Sequence, residues 1–576
     1  MDLDIELILV LDFLMKLYPS WLAAMSLALL FDPVTGIGLP ASTLGRDLRL
    51  AAGLGLDSHL ALNDPEAFLS MIFDSADSTI AAEYTEIPID HEDPWLGTYR
   101  NRFWVNEEFY VPESPIMVYD IGEATAEYSV SLLANSSSWL SLLLHEFRAM
   151  GVVWEHRYYG DSLPFPVSQD MPVEHMKYLT TKQALADIPY FAANFSRTSH
   201  PDIDLTPRGT PWVMIGGSYP GIRAAFTRNK YPDTIFAAYA SSAPVQAQID
   251  MSVYYEQIYR AMVANGYSNC TKDIQAALKY IDDQLSNEET SASIKRLFLG
   301  PDAEKNSNGD FTTALGALYG PFQAHSIGSG NQSLHNFCNY LELDPATNQS
   351  AGSEGLAPIR GSKYVAERWA SFPYFISLVN RIYGTNCNGL NASEPLSCDF
   401  SQPNTVPELI SWTWQYCTEW GFFQSSNFGS HALLSSYQTL EYQQELCYRQ
   451  FPNAVQVGLL PPQPQTESLN EEFGGWTIRP SNVYFSGGQF DPWRPLSVLS
   501  DENWAPPGVN FTTEIPACGV STGEEAVFGY IMENAVHCPD FQLTPDAAVS
   551  RDYFIQALKQ WLPCFRQNQS GSHSDY

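Results

Sequence analysis

The sequence predicts an α/β fold, in which helices cover a parallel sheet and a mainly helical segment interrupts the sheet domain. Short apolar runs alternate with helical patterns from about residue 115 to residue 245. Between residues 245 and 440 the pattern is helical and turn-rich, and most of the cysteines lie there. A strand-like run returns at Val483–Phe485. These three observations indicate that one sheet is built from two separated parts of the chain.

The elements of the first part are short apolar strands with helical patterns between them. The predicted strands are Pro115–Tyr119, Gly151–Trp154, Trp212–Ile215 and Ile235–Tyr239. The predicted helices are Lys182–Arg197 and Gly221–Lys230, followed in the insertion by Val245–Asn265 and Lys272–Leu299.

A last helix is predicted near the C-terminus. Thr544 can cap its first turn, and Pro545 suits the first helical position because its missing N–H would have no partner there. Its apolar stripe consists of Phe554, Leu558, Trp561 and Leu562. The resulting domain prediction is a targeting segment at 1–42, sheet domain at 43–244, helical insertion at 245–440, sheet domain again at 441–565, and a polar tail at 566–576.

The composition is strongly acidic. The 576 residues include 30 basic and 65 acidic side chains, a net charge of −35. Phosphate contacts need a basic surface, so nucleic-acid binding is excluded as the main function, and anionic lipid would repel the chain. The hydrophobic fraction of 45% and charged fraction of 16% exclude a disordered acidic protein.

The N-terminal segment is typical of a secretory signal. An apolar run at Trp21–Phe31 follows Lys16, and the natural start would be Met15. The alternative is a signal anchor or transmembrane helix, which Lys16 and Pro19 disfavour because they interrupt the apolar span. We therefore expect an extracellular protein without a stable membrane anchor, or one in a vacuolar or lysosome-like compartment.

Glycosylation sequons and cysteines support the same compartment. The sequons lie at Asn135, Asn194, Asn269, Asn331, Asn348, Asn391, Asn510 and Asn568. None of the nine cysteines precedes Cys270, and there is no CxxC pair and no zinc-type spacing with histidine. We therefore expect disulfides in the C-terminal half, with one thiol left over, and neither a metal site nor a cofactor. The pairing stays open.

The segment that carries chemistry is PWVMIGGSYPGIRAAF. An apolar strand runs through Gly216 and Gly217 to Ser218, and a helix follows, which is the setting of a nucleophile elbow. The backbone N–H of Tyr219, at the helix start, could stabilise an oxyanion. Pro220 stands where the GxSxG pattern has glycine. Read alone, Gly-Gly-Ser is more often an ordinary turn.

Chain order then selects the partners of Ser218. In this architecture the acid follows the nucleophile and the histidine comes last. Asp491, in GGQFDPW, follows the Val483 strand, and His537 precedes the last helix, whereas His573 lies in the polar tail. His537 would take the Ser218 proton and Asp491 would orient the imidazole. Singly, each could be a structural residue. The long interval between Ser218 and Asp491 places the insertion over the carboxyl edge of the sheet.

Longer motifs resemble those of the serine peptidase family of lysosomal prolylcarboxypeptidase and dipeptidyl peptidase II, in its fungal secreted branch. The resemblance runs from about Ile89 to Trp561. Its most specific parts are IDHEDPWLGTYRNRFWVN, EHRYYGDSLPF, YLTTKQALAD, GGSYPG, WQYCTEWGFFQ, GGQFDPW and VHCPDF.

The resemblance implies an α/β-hydrolase fold with a large helical, disulfide-containing cap between nucleophile and acid. It also implies cleavage on the carboxyl side of proline, with Ser218, Asp491 and His537 catalytic. Further roles implied are oxyanion donors (Tyr219 with Gly122 or Glu123) and a proline pocket lined by Trp414, Glu419 and Trp493. Ordinary packing explains the pocket residues equally well.

Several choices stay open. The enzyme could be a carboxypeptidase, a dipeptidyl peptidase or an endopeptidase acting on proline-containing peptides or proteins, with a homodimer as one option for its assembly. The alternatives are a non-peptidase hydrolase such as a carboxylic esterase, or an inactive glycosylated surface protein. Acid-active members of the family favour activity on the acidic side of neutral.

Overall fold

The computed structural model describes residues 53–54, 80–328 and 330–571, with side chains up to residue 565. The predicted targeting segment at 1–42, its start at Met15 and the Asn568 side chain therefore lie outside the described residues. Within the described part, no helix combines the length and the apolar character that a membrane span requires.

The strands are short, and most are buried. In chain order they are β1 Glu83–Pro88, β2 Thr98–Asn106, β3 Ile116–Asp120, β4 Met150–Trp154, β5 Trp212–Gly217, β6 Ala237–Ser241, β7 Gln248–Asp250, β8 Leu343–Asp344, β9 Gln349–Ser350, β10 Gly421–Phe423, β11 Val483–Gly488, β12 Asn510–Thr512 and β13 Ala526–Met532.

Nine of these strands form one sheet in the order β1-β2-β4-β3-β5-β6-β11-β13-β12. The strands from β4 to β12 in this order run parallel, with Met214 of β5 paired to both Val118 of β3 and Ala238 of β6. At one end of the sheet, β1 pairs antiparallel with β2 and β2 pairs antiparallel with β4, which the sequence pattern did not predict. The central parallel strands are buried apolar runs, which is typical of a parallel sheet covered on both faces.

The helices alternate with the strands in the sheet domain and dominate the insertion. They are α1 Val130–Ala134, α2 Trp139–Phe147, α3 Thr181–Ala193, α4 Tyr219–Lys230, α5 Val253–Ala264, α6 Ser268–Leu285, α7 Glu288–Leu299, α8 Asn308–Leu315, α9 Phe322–His325, α10 Leu334–Glu342, α11 Ala357–Arg360, α12 Ser362–Ala370, α13 Phe375–Tyr383, α14 Pro407–Gln415, α15 Leu440–Gln450, α16 Pro452–Gln456, α17 Thr466–Phe473 and α18 Pro545–Gly571.

Helix α18 starts as the sequence predicted. The Thr544 hydroxyl accepts the backbone N–H of Ala547, and the Phe554 ring packs on Tyr239 of the sheet. The helix continues to Gly571 and so extends into the segment 566–576, which the sequence predicted as a polar tail. Polar residues such as Gln567 are also good helix formers, so composition alone did not mark the end of the helix.

The insertion, residues 245–440, is called the cap below. Three disulfides lie within it or at its end, and a fourth ties α18 to the segment before β13; the pairs are Cys270–Cys338, Cys387–Cys398, Cys417–Cys447 and Cys518–Cys564. Cys538 is the remaining thiol and is buried. The α/β-hydrolase fold with a helical, disulfide-containing cap, expected from the resemblance, is therefore confirmed.

Five of the predicted sequons present exposed asparagines, namely Asn194, Asn331, Asn348, Asn391 and Asn510. Asn135 and Asn269 are half-buried. Asn269 lies on α6, and its side-chain amide donates to the Glu342 carboxylate. Glycosylation remains a prediction at all of these positions.

Two carboxyl groups of the cap are buried side by side. Glu342 faces Asp273, which accepts the backbone N–H groups of Leu356 and Ala357 at the start of α11. Burial, and then the negative charge of Asp273, raise the pKa of Glu342 to about 9. Glu342 is therefore protonated in the folded protein at neutral pH, so folding takes up a proton there.

We expect the contribution of Glu342 to the free energy of unfolding to fall as pH rises from about 4.5 to about 9, because at this group the folded state binds a proton that the unfolded state has lost. Glu342→Gln removes this contribution and leaves those of Glu419 and His537. The variant should unfold at a higher temperature than the wild type at pH 8, with the difference shrinking at pH 4. Thermal unfolding across this pH range measures it.

Glu354→Gln is the matched control, because Glu354 is an exposed glutamate of the same cap, paired with Lys272. It should leave the pH dependence unchanged. Parallel curves for Glu342→Gln and the wild type would contradict the raised pKa.

Candidate active site

Ser218 occupies the sharp turn between β5 and α4. Its backbone has φ 67° and ψ −131°, a left-handed φ that a non-glycine residue adopts only at a cost. The Ser218 N–H donates to the carbonyl of Ser241 at the end of β6. Because Ser218 directly follows the last residue of β5, it lies at the carboxyl edge of the sheet, and it is half-buried, as in a nucleophile elbow.

The glycines around Ser218 are required by close approach. A Cβ on Gly216 would lie 2.2 Å from the Pro220 carbonyl oxygen, and one on Gly221 would lie 2.7 Å from the Ser241 carbonyl oxygen. A Cβ on Gly217 would lie 2.9 Å from Cys538 Sγ. The elbow therefore packs directly against the loop that carries His537.

Asp491 and His537 form a fully buried pair at the same edge. The ring Nδ1 of His537 lies 2.8 Å from Asp491 Oδ1, which also accepts the backbone N–H of Trp493 at 2.9 Å. An imidazole whose Nδ1–H donates to a carboxylate carries its lone pair on Nε2. His537 Nε2 is buried and makes no hydrogen bond with the described residues.

The environment of His537 shifts its pKa. Burial acts to lower the pKa of the imidazole, and the Asp491 carboxylate and the Cys538 thiol act to raise it. The raising effects prevail, so the pKa lies above its usual value of 6.5. Since a base must be unprotonated, this direction opposes the acid-side activity that the family resemblance led us to expect.

The histidine loop is anchored to the sheet by groups that the sequence did not single out. The Cys538 N–H donates to Ser242 Oγ at 2.8 Å. The buried Asp540 carboxylate accepts hydrogen bonds from three hydroxyl groups, those of Tyr239 and Ser241 of β6 and of Ser486 of β11. These bonds hold the loop across two parallel strands.

The loop after β3 holds Gly122 and Glu123, the two candidates for the second oxyanion donor. Gly122 has φ +72°, and a Cβ there would lie 2.3 Å from the Pro220 ring. The Gly122 N–H donates to Asp120, which is also paired with Arg223 of α4 at 2.7 Å. Pro220, which replaces the second glycine of the GxSxG pattern, thus lies against this loop. Glu123 follows Gly122 in the same loop.

Tyr219, the other predicted oxyanion residue, is tied to the cap through its side chain. Its hydroxyl accepts the Gln415 amide N–H at 2.8 Å and lies 3.1 Å from His156 Nε2. The Gln415 amide oxygen in turn accepts the Tyr159 hydroxyl at 2.5 Å. As a result, helix α14 of the cap holds the residue directly after the nucleophile.

Trp493, predicted in the pocket, joins the acid loop to the cap. Its indole N–H donates to the side-chain oxygen of Gln323 at 3.0 Å. Its ring meets those of Phe422 and Tyr254 edge-on, with centroids 5.1 and 5.6 Å away. Phe422 has a left-handed φ of 60°. This aromatic cluster lies directly beside Asp491.

The other two predicted pocket residues have different surroundings. The Trp414 ring packs edge-on against Phe451 inside the cap. Glu419 lies in a π-helical turn, Tyr416–Trp420, and its carboxylate accepts the N–H and the hydroxyl of Thr181 at the start of α3. Burial, opposed by Thr181, raises the pKa of Glu419 to about 7. Among the described residues, no hydrogen bond or ion pair joins either side chain to Asp491 or His537.

The sheet order, the elbow after β5 and the cap before β11 define an α/β-hydrolase. The profile of the serine carboxypeptidase S28 family matches residues 89–509. The chain belongs to this family of serine peptidases, which confirms the resemblance drawn from its motifs. The matched range contains Ser218 and Asp491 and ends before His537.

Two relatives and one solved structure illustrate the similarity. The chain is 28% identical over 448 residues to a probable extracellular serine carboxypeptidase of Arthroderma benhamiae, covering 72% of this chain and 59% of the relative. It is 26% identical to the thymus-specific serine protease of Mus musculus, covering 82% and 86%. The proline iminopeptidase of Mycobacterium smegmatis superposes with a TM-score of 0.32 at 10% identity, over 85% of this chain and 100% of that one.

Gly122→Ala should reduce activity and stability because its Cβ would collide with the Pro220 ring. We expect the double variant Gly122→Ala/Pro220→Gly to regain part of both, since the collision is then relieved and only the left-handed backbone cost of roughly 1–2 kcal/mol remains. Thermal unfolding and hydrolysis rates measure the two effects.

Gly519→Ala supplies the control, because Gly519 has a similar φ of +74° and open space around its Cβ position. It should show the backbone cost alone. If Pro220→Gly rescued neither property of Gly122→Ala, the contact between this loop and the elbow would not matter as described.

Asp491→Asn should move the acid limb of kcat/KM to lower pH, because removing the carboxylate leaves burial to lower the His537 pKa. The rate should also fall by about 10³–10⁴-fold, since the imidazole loses the group that orients it. Asp501→Asn, an exposed partner of Arg494 in the same segment, should change neither. An acid limb at the same pH as in the wild type would contradict the effect of the Asp491 charge on the pKa of His537.

Proposed function

We propose that the chain is a secreted serine peptidase that hydrolyses peptide bonds on the carboxyl side of proline through an acyl-enzyme on Ser218. The observation that carries the proposal is the buried Asp491–His537 hydrogen bond, at the sheet edge where Ser218 stands on a strained turn. The four disulfides and the extracellular relative support secretion.

In the proposed reaction, Ser218 Oγ attacks the carbonyl carbon of the proline residue. His537 Nε2 takes the hydroxyl proton and delivers it to the leaving nitrogen, and Asp491 stabilises the imidazolium formed meanwhile. Water then attacks the ester by the same proton path and releases the product. The steps need no metal or cofactor.

The developing oxyanion would lie between two backbone donors. The Tyr219 N–H is in the first position of α4, where an N–H has no carbonyl of its own helix to bond. The Gly122 N–H already donates to Asp120, so we assign the second donor to Glu123. Arg223 of α4 pairs with Asp120 and would thereby hold the loop after β3 in a fixed position relative to the elbow.

The proposed proline pocket is the aromatic cluster beside Asp491, with Trp493 as its wall. An apolar aromatic surface suits a pyrrolidine ring. Trp414 packs on Phe451 and Glu419 bonds Thr181, and we base this assignment on neither residue. Of the three open peptidase types, the name of the fungal relative favours a carboxypeptidase.

The test offers four substrates: a peptide ending in Pro-Xaa, an Xaa-Pro fluorogenic amide with a free amine, its N-blocked form, and a simple ester. We expect proline-directed cleavage, with loss of at least about 10³-fold in Ser218→Ala. Ser286→Ala, an exposed serine of the cap, should keep full activity.

The pattern across substrates also identifies the peptidase type. Cleavage of only the peptide ending in Pro-Xaa defines a carboxypeptidase, and dependence on the free amine defines a dipeptidyl peptidase. Ester hydrolysis without proline-peptide cleavage would overturn the proposal in favour of an esterase.

A further inference from the structure

Gln323, on the short cap helix α9, bonds to both loops of the catalytic pair. Its backbone carbonyl accepts the N–H of His537 at 3.3 Å. Its side-chain oxygen accepts the indole N–H of Trp493 at 3.0 Å and the hydroxyl of Tyr254 at 3.1 Å. One cap residue thus holds the base loop with its main chain and the acid loop with its side chain.

The arrangement bears directly on the reacting groups. Trp493 donates its own backbone N–H to the Asp491 oxygen that bonds His537. A shift of the Trp493 indole therefore changes the position of that oxygen, and a shift of Gln323 moves both sides of the pair together. Misplacing a catalytic group by about 1 Å can cost 10²-fold in rate.

The two hydrogen bonds to the Gln323 side chain come from donors with little access to water. Trp493 is 7% exposed and Tyr254 is 3% exposed, so both donors depend on protein acceptors. Removing an acceptor leaves a buried N–H unsatisfied, at a cost of about 1–3 kcal/mol. The Trp493 loop would relieve that cost by moving, and Asp491 would move with it.

We propose that Gln323 is a positioning residue through which the cap fixes the Asp491 and His537 loops in their working geometry. The inference rests on the proposed function, because it takes these two residues as acid and base. It adds that the cap supplies a residue that aligns the catalytic groups. The sheet domain alone would therefore hold Asp491 and His537 out of alignment.

The test measures how fast an alkyl fluorophosphonate labels the active serine, which reports on the serine–histidine pair without requiring any peptide specificity. In Gln323→Leu, which is similar in size but has no acceptor, we expect labelling and kcat to fall about 10- to 100-fold, with KM within about three-fold. Gln275→Leu, a cap glutamine bonded only to the Ser430 carbonyl, should label at the wild-type rate.

Gln323→Glu separates positioning from structure, because its carboxylate keeps the acceptor. It should retain most of the activity, and the added charge near His537, beside those of Asp491 and Cys538, should move the acid limb of labelling to higher pH. If Gln323→Leu does not fold, Gln323→Glu decides: labelling near the wild-type rate at its own pH optimum supports the proposal, and a loss of about 10-fold or more in the folded variant refutes it.

Three further results would overturn the inference: wild-type labelling in Gln323→Leu, an equal loss in Gln275→Leu, or an effect confined to KM. Failure of the proposed function has a different signature, because the wild type would then be labelled but would not cleave proline peptides. A wild type that is not labelled overturns both.

Discussion

The site depends on one buried hydrogen bond, between the Asp491 carboxylate and the ring of His537. A carboxylate without solvent needs partners, and Asp491 Oδ1 bonds both the imidazole and the Trp493 N–H, whereas Oδ2 is buried without a hydrogen-bond partner among the described residues. The same bond fixes the imidazole tautomer and raises its pKa. Two groups hold the histidine loop in place: Asp540 bonds it to the sheet, and the Gln323 carbonyl bonds it to the cap.

The cap contributes to this arrangement from two sides. Gln415 bonds the side chain of Tyr219 next to the nucleophile, and Gln323 bonds the acid and base loops. Each glutamine lies on a different cap helix, and three disulfides brace that part of the chain. These bonds cross from the cap to the sheet domain. We therefore expect the catalytic groups to be aligned only when the cap is packed on the sheet domain.

The sequence predicted the parts of this molecule that have strong local patterns. The elbow, the order of Ser218, Asp491 and His537, the central parallel strands and the cap follow from motifs and apolar patterns. It missed the antiparallel strands β1 and β2, whose segment was used only as a family motif, and it missed Arg223, because its partner Asp120 is far away in the chain. Gln323 carried no signal at all, since a glutamine in a short helix resembles any surface residue until its neighbours are known.

The central claim is that Ser218 is the nucleophile activated by the buried pair. Mapping the adduct by mass spectrometry, after labelling the full chain with a fluorophosphonate, tests it most directly. We expect a single adduct on the peptide that contains Ser218, and we expect this adduct to disappear when the protein is unfolded first. An adduct on another serine, with Ser218 unmodified, would contradict it.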